Sequence, residues 1–168
     1  MNYVFYISAA AACLATLMVI TRAHAVHALL YLAVSLLAVA MTFFSLGAPF
    51  AAALEAIVYA GAILVLFVFV IFLLDLRGPA AQQERLLLHP GVWIGPAALG
   101  LALLGLWGYA VSRPGCPSDL AGATSPQQVA AAMFGPYALA VELASLLLLA
   151  ALVGAVHLAR TQPKEPTR

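Results

Sequence analysis

Residues 55–70 read EAIVYAGAILVLFVFV, a run that is apolar apart from Glu55 and that carries a single glycine, Gly61. The run lies inside a longer apolar segment, from about residue 50 to about residue 74. A helix needs about 20 predominantly apolar residues to cross the hydrocarbon core of a bilayer. The segment is therefore predicted to be a membrane-spanning helix that Gly61 interrupts near its middle.

The rest of the chain has the same apolar character. Hydrophobic residues make up 65% of the 168-residue sequence and charged residues only 8%, against about 25% charged in an average soluble domain. We predict an all-α integral membrane protein with five transmembrane helices, at about residues 3–20, 26–46, 50–74, 92–112 and 134–159. The polar connections at 75–90 and 113–128 are too short to separate two folded units, so residues 1–168 are expected to form a single membrane domain. Arg22 follows the first apolar run instead of preceding it, which favours a retained anchor over a cleaved signal.

The positive charges predict the orientation. Alternate connections lie on opposite sides of the membrane, which puts Arg22, Arg77, Arg85, Arg160, Lys164 and Arg168 on one side and Arg113 alone on the other. Cytoplasmic loops carry the excess of Lys and Arg. The N-terminus is therefore expected outside, on the periplasmic side, and the C-terminus in the cytoplasm. This orientation places Cys116 on the outer face.

Two carboxylates lie inside predicted spans, where an ionisable group is expensive and marks a candidate functional site. By helical rise, Glu55 lies roughly 7 Å and Glu142 roughly 12 Å from the outer end of its span. Either residue could transfer protons or make a polar contact with a partner subunit. The alternative is a local hydrogen bond, from Tyr59 to Glu55 or from Ser145 to Glu142.

The third predicted span has a second feature, a row of small residues at helical spacing. Ala52, Ala56 and Ala60 form a small-xxx-small row that suits close helix packing. A glycine within a helix also lowers the cost of a kink or of a π-bulge, and such bulges are frequent at functional sites. Gly61 is thus compatible with plain packing and with an irregular helix.

The sequence offers no set of residues for a cofactor or a catalytic site. It contains no GxGxxG, Walker, CxxC or HExxH motif, and Cys13 and Cys116 are too far apart to form a cluster motif. The chain has four histidines, and all are expected near the cytoplasmic surface: His24, His27, His89 and His157. A haem-bearing membrane anchor, ligated by two of them, is the less favoured alternative. We predict no metal site and no cofactor in this chain.

Residues 55–70 resemble the third helix of the subunit J family of bacterial NADH-quinone oxidoreductase (respiratory complex I), which includes subunit 6 of the mitochondrial enzyme. The stretches VHALLYL at 26–32, FFSLGA at 43–48 and FGPYALAVELAS at 134–145 are also similar to this family. The resemblance implies a multi-pass subunit of the bacterial inner membrane, in an enzyme that couples electron transfer from NADH to quinone with proton translocation. NAD, FMN, iron–sulfur clusters and quinone would then be bound in or near other subunits of this respiratory-chain translocase.

The resemblance also implies partners and site residues. The expected neighbours are the subunit that forms the quinone cavity, the small subunits A and K, and an antiporter-like subunit. In the family, the third helix can carry a π-bulge near the positions that match Tyr59 and Gly61, which makes Tyr59, Gly61 and Val65 coupling or gating candidates. Glu55 and Glu142 match family carboxylates. A structural subunit of a related hydrogenase or cation/proton antiporter complex is the alternative function.

Overall fold

The structure, a computed structural model, describes residues 2–22, 25–75, 90–112 and 123–160. Five of its helices are long and apolar enough to cross a membrane. They comprise Tyr3–Thr21, Ala25–Ser45, Pro49–Leu73, Trp93–Ser112 and Ala138–Arg160. The prediction of five membrane-spanning helices is thus confirmed. Most of the charges that predict the orientation lie outside the described residues, as do His24, His89 and Cys116, and the orientation stays a prediction.

The elements follow one another along the chain as helices joined by short connections. We number them α1 (Asn2–Thr21), α2 (Ala25–Ser45), α3 (Pro49–Leu54), a π-helix (Glu55–Ile63), α4 (Leu64–Asp75), α5 (Pro90–Ser112), α6 (Pro126–Phe134) and α7 (Ala138–Arg160). Helices α3 and α4 and the π-helix run on without a break and together make the third span. The chain divides into two compact units, residues 1–125 and residues 126–168.

The core of the first unit lies mainly between α1 and α2. Its buried residues are mostly small; Ala15 and Ala38 are fully buried, and Ser8 is too. Small side chains let two helices approach closely, which is how membrane helices gain packing energy without a hydrophobic driving force. Helix α2 also contacts α3, the π-helix, α4 and α5, so it is the central helix of this unit.

The connection between the second and third spans is a tight turn at Leu46–Ala48. Gly47 adopts a φ of 79°, in the left-handed region that a residue without Cβ adopts without strain. Pro49 then occupies the first turn of α3, where its missing N–H leaves no hydrogen bond unmade. The backbone N–H of Thr124 donates to the Gly47 carbonyl oxygen at 3.0 Å, which anchors the segment after α5 to this turn.

The second unit shows where the predicted helix bounds differ from the structure. Phe134, the predicted start of the fifth span, is the last residue of the short helix α6, and the spanning helix α7 begins only at Ala138. Residues Gly135–Tyr137 form a turn between the two helices. A Cβ at Gly135 would lie 2.7 Å from the Ala131 carbonyl oxygen, so the turn requires glycine here. The predicted linker at 113–128 likewise ends earlier, because α6 begins at Pro126. That the chain is a single membrane domain stays a prediction.

Candidate functional site

The candidate site is the π-helix within the third span. Over Glu55–Ile63 the backbone hydrogen bonds follow the wider π spacing, in which an N–H donates to the carbonyl five residues earlier. At the end of the segment the N–H of Leu64 points to the carbonyl oxygens of both Tyr59 and Gly61. The sequence-based expectation of a π-bulge in the third helix is confirmed, and the irregular segment is nine residues long.

The π-helix contains the small residues Ala56, Ala60, Gly61 and Ala62. A Cβ at Gly61 would meet the Ala56 carbonyl oxygen at 3.4 Å, the carbonyl five residues earlier, and no other atom within 4 Å. Packing inside this chain therefore leaves room for a small side chain at Gly61. Of the small-residue row, Ala52 is buried in α3, while Ala56 and Ala60 in the π-helix are half-buried. Since α2 contacts both α3 and the π-helix, the row lies in the part of the span that touches α2.

The predicted coupling residues lie together on or next to the π-helix. Tyr59 and Gly61 belong to it, and Val65 is the second residue of α4. Tyr59 is 51% exposed and Val65 61% exposed, and no residue of the π-helix is buried within the described part of the chain. The segment therefore offers exposed side chains, Tyr59 among them, to lipid or to other proteins.

The two predicted carboxylates occupy different units. Glu55 is the first residue of the π-helix and is half-buried, whereas Glu142 is exposed on α7. Ser145 donates its hydroxyl to the backbone carbonyl oxygen of Glu142 at 2.7 Å, not to the carboxylate. Among the described residues, no hydrogen bond or ion pair involves either carboxylate. The predicted local bonds, from Tyr59 to Glu55 and from Ser145 to the Glu142 side chain, are not formed in this structure.

The histidines that the structure describes lie in separate units. His27 is 7% exposed on α2, and His157 lies in the last turn of α7. Across the described ranges, no group of three or more His, Cys, Asp and Glu side chains is placed to hold a metal ion.

Sequence reasoning missed two pairs of hydroxyl side chains that join α1 to α2. The Thr16 Oγ1 atom lies 2.8 Å from the Ser35 Oγ atom, and the Thr42 hydroxyl lies 3.1 Å from the Ser8 hydroxyl. The signal that could have found them is hydroxyl residues at helical spacing in two adjacent apolar spans. We call the two contacts, Thr16–Ser35 and Ser8–Thr42, the hydroxyl pairs.

A second missed contact surrounds Tyr31, which is 5% exposed on α2. The Arg22 guanidinium lies over its ring, 5.3 Å from the ring centroid. On α5, Gly95 lies so close to the phenol that an added Cβ would clash with the hydroxyl oxygen and would lie 3.3 Å from Cζ. Tyr31 therefore ties the end of α1 and the start of α5 to α2.

The five apolar helices, with a π-helix in the third, define a multi-span membrane protein with an irregular central span. The family model of NADH-ubiquinone/plastoquinone oxidoreductase chain 6 matches residues 15–158, and the chain belongs to this family. It is 54% identical to NADH-quinone oxidoreductase subunit J of Pseudomonas aeruginosa, over 98% of this chain and 100% of the relative. The subunit J of Escherichia coli K12 is also 54% identical, over 96% of this chain and 88% of the relative. That of Buchnera aphidicola from Schizaphis graminum is 46% identical over 95% and 98%.

Proposed function

We propose that the third span is a coupling element of NADH-quinone oxidoreductase. The chain is a membrane-arm subunit of this oxidoreductase, which transfers electrons from NADH to quinone and translocates protons. Within it, this chain acts as a non-catalytic subunit in the bacterial inner membrane, and the NAD, FMN, iron–sulfur and quinone sites belong to other subunits. The π-helix at Glu55–Ile63 is the observation that carries the proposal.

The mechanism is a change of helical register. When a π-helix of this length converts to an α-helix, the side chains on either side rotate relative to one another, because fewer residues fit in each α-turn. Such a change around Gly61 would turn the bulky residues of α4, Val65 among them, relative to α2. Turning them opens or closes a hydrated path along the span. Irregular backbone is tolerated at membrane depth only where protein or water covers it, which fits a helix next to such a path.

The exposure of the site supports contact with other subunits. Tyr59 and Val65 are more than half exposed in this chain, and a polar phenol in a span is stabilised by a hydrogen-bonding partner. The neighbours we propose are the subunit that forms the quinone cavity, the small subunits A and K, and an antiporter-like subunit. A ligand or partner shifts a two-state element only through different affinities for its two states. We propose that the quinone reaction in the neighbouring subunit supplies this difference.

The carboxylates have a narrower proposed role. With the N-terminus outside, Glu55 and Glu142 both lie in the outer half of the membrane. Neither makes a hydrogen bond or ion pair within the described residues, and a carboxylate facing lipid without a partner is strongly unfavourable. We propose that each contacts a polar group of another subunit or a water in the proton path.

The test is a size series at Gly61 in the assembled complex. Because a Cβ there would meet, among the described residues beyond its own helical turn, only the Ala56 carbonyl oxygen at 3.4 Å, Gly61→Ala is expected to keep coupled activity. Gly61→Val adds a branched side chain that crowds the preceding turn and the facing subunit. We expect Gly61→Val to lose most proton pumping and NADH-quinone activity, while NADH oxidation by an artificial acceptor such as ferricyanide is unchanged.

The control is Gly100→Val in α5, where a Cβ would have no atom of the described residues beyond its own helical turn within 4 Å. It adds the same side chain to another span and should leave pumping close to wild type. An assembled Gly61→Val complex that pumps protons as the wild type does would contradict a coupling role for the π-helix.

A further inference from the structure

Each hydroxyl pair joins a buried serine to a more accessible threonine, since Thr42 is half-buried and Thr16 is exposed. Ser8 is fully buried and Ser35 is 5% exposed, and the fully buried Ala15 and Ala38 belong to the same interface. On α1 the hydroxyls are eight residues apart and on α2 they are seven residues apart. Two turns of helix thus separate the pairs on both helices, by roughly 11 Å. The two helices therefore contact each other through hydroxyl groups at two depths along the spans.

The Thr16–Ser35 pair makes at least one hydrogen bond between the helices whichever of its hydroxyls donates to Ala12. The Ala12 carbonyl oxygen lies 2.8 Å from Thr16 Oγ1 and 3.3 Å from Ser35 Oγ. A hydroxyl has one proton and can also accept. If either hydroxyl of the pair donates to Ala12, the other is left to donate across to its partner.

The second pair differs in that each of its hydroxyls has a backbone acceptor on its own helix. Ser8 Oγ lies 3.0 Å from the Phe5 carbonyl oxygen, and Thr42 Oγ1 lies 2.9 Å from the Ala38 carbonyl oxygen. With Ser8 donating to Phe5, the one proton of Thr42 lies within reach of the Ser8 oxygen and of the Ala38 carbonyl oxygen, and only the bond to Ser8 crosses between the helices. Sliding or turning α2 against α1 separates both pairs, and the buried Ser8 and Ser35 hydroxyls then lose their hydroxyl partners on the other helix.

Helix α2 packs against both α1 and the third span, because it contacts α3, the π-helix and α4 as well as α1. We propose that Ser8, Thr16, Ser35 and Thr42 are positioning residues that hold α2 against α1. A change of register in the π-helix then moves the neighbouring subunits instead of displacing α2. This inference rests on the proposed coupling function of the third span.

The size of the effect follows from the two bonds. An interhelix hydrogen bond between side chains in a membrane protein shifts an equilibrium by about threefold on average. Two such bonds together favour the held position of α2 by about eightfold. Removing both should let α2 absorb a measurable share of the movement and lower the protons pumped per NADH oxidised.

The first experiment removes the hydroxyls in the whole complex. Thr16→Val with Ser35→Ala, and Ser8→Ala with Thr42→Val, are combined, and pumping per NADH is compared with the NADH–ferricyanide rate. We expect a lower pumping ratio at an unchanged ferricyanide rate. Thr16→Ser together with Thr42→Ser, which keep the hydroxyls, should pump as the wild type does. Wild-type pumping by the assembled hydroxyl-free variant would overturn the proposal.

Two matched controls bond only their own helix. The Thr21 hydroxyl donates to the Leu17 carbonyl oxygen at 3.0 Å, and the Ser45 hydroxyl donates to the Thr42 carbonyl oxygen at 2.8 Å. Thr21→Val and Ser45→Ala remove the same chemical group without touching the α1–α2 interface. Both are expected to leave the pumping ratio at the wild-type value.

The second experiment tests whether α2 is held against α1 even if the hydroxyl-free variant does not assemble. Thr16→Cys with Ser35→Cys, in a Cys13→Ala background, places two thiols where the hydroxyls now lie 2.8 Å apart, a separation from which a disulfide can form. If α2 stays in place against α1 during pumping, the oxidised variant pumps as well as the reduced one. Loss of pumping on oxidation, restored by dithiothreitol, would show that α2 must move and would overturn the inference.

The two proposals fail in different ways. If Gly61→Val abolishes pumping while the hydroxyl-free complex pumps normally, the positioning role is wrong and the coupling role stands. If Gly61→Val pumps normally, the coupling role itself is contradicted.

Discussion

Replacing Gly95 by alanine should loosen the packing of α5 on α2. The new Cβ would overlap the Tyr31 hydroxyl oxygen and would lie 3.3 Å from Cζ, so the phenol ring must shift. Tyr31 is 5% exposed and its ring carries the Arg22 guanidinium, which leaves little free space for that shift. Inserting a methyl group into a well-packed core costs about 1–3 kcal/mol. Displacing the ring also weakens the cation–π contact, worth about 0.5–1 kcal/mol at an exposed site.

The assay compares two glycines of the same helix. Gly100→Ala adds the same Cβ to α5 at a position where, among the described residues, nothing beyond its own helical turn lies within 4 Å. Any effect on the helical backbone itself is therefore common to both variants. The measurement is the half-life of NADH-quinone activity in membranes held at a denaturing temperature. If the full packing cost of about 1–3 kcal/mol lowers the free-energy barrier to inactivation, Gly95→Ala inactivates about 5- to 150-fold faster than Gly100→Ala.

A double variant isolates the contact. Tyr31→Phe removes the oxygen that the new Cβ would strike, and the remaining Cζ contact of 3.3 Å can relax by a few tenths of an ångström. Gly95→Ala combined with Tyr31→Phe should therefore recover most of the half-life lost by Gly95→Ala alone. Equal half-lives for Gly95→Ala and Gly100→Ala, or no recovery in the double variant, would refute this account of the α2–α5 contact.

Two further predictions concern turns. Gly47→Ala should destabilise the folded complex by about 1–2 kcal/mol, because a residue with a Cβ is strained at the observed φ of 79°. Gly47→Asn should destabilise it less, because asparagine adopts this conformation more readily than alanine. Gly135→Ala should make the segment between α6 and α7 more sensitive to limited proteolysis, since its Cβ would lie 2.7 Å from the backbone oxygen of Ala131, which cannot move aside as a side chain can. Gly154→Ala in α7 is the control and should behave as the wild type, because among the described residues nothing beyond its own helical turn lies within 4 Å of the added Cβ.

Hydropathy was enough to predict the membrane spans, because length and apolar composition alone decide whether a helix can cross the hydrocarbon core. The first four spans begin and end within a few residues of their predicted bounds. The start of the fifth was placed four residues too early, at Phe134 instead of Ala138. The cause is local: the Gly135–Tyr137 turn depends on a close approach to the Ala131 carbonyl oxygen, which no pattern of apolar residues reports.

The candidate site was predictable only in part. Residue chemistry singles out Gly61 but leaves plain packing and an irregular helix both open, because a glycine within a helix is compatible with either. The resemblance to the subunit J family favoured the bulge, and the structure contains it. The hydroxyl pairs were missed because their meaning depends on the register between two helices, which fixes that Thr16 faces Ser35 and that Ser8 faces Thr42.

The exposure of the π-helix bears on what controls it. Among the described residues the buried side chains belong mostly to α1 and α2, and no residue of the nine-residue π-helix is buried. Contacts with α2 cover the π-helix only in part, so the rest of its surface is left to lipid or to other proteins. When a segment's own contacts leave two states close in free energy, whatever binds its surface sets their populations. We expect the register of the third span to be set by the neighbouring subunits, and a coupling element must respond to its neighbours in this way.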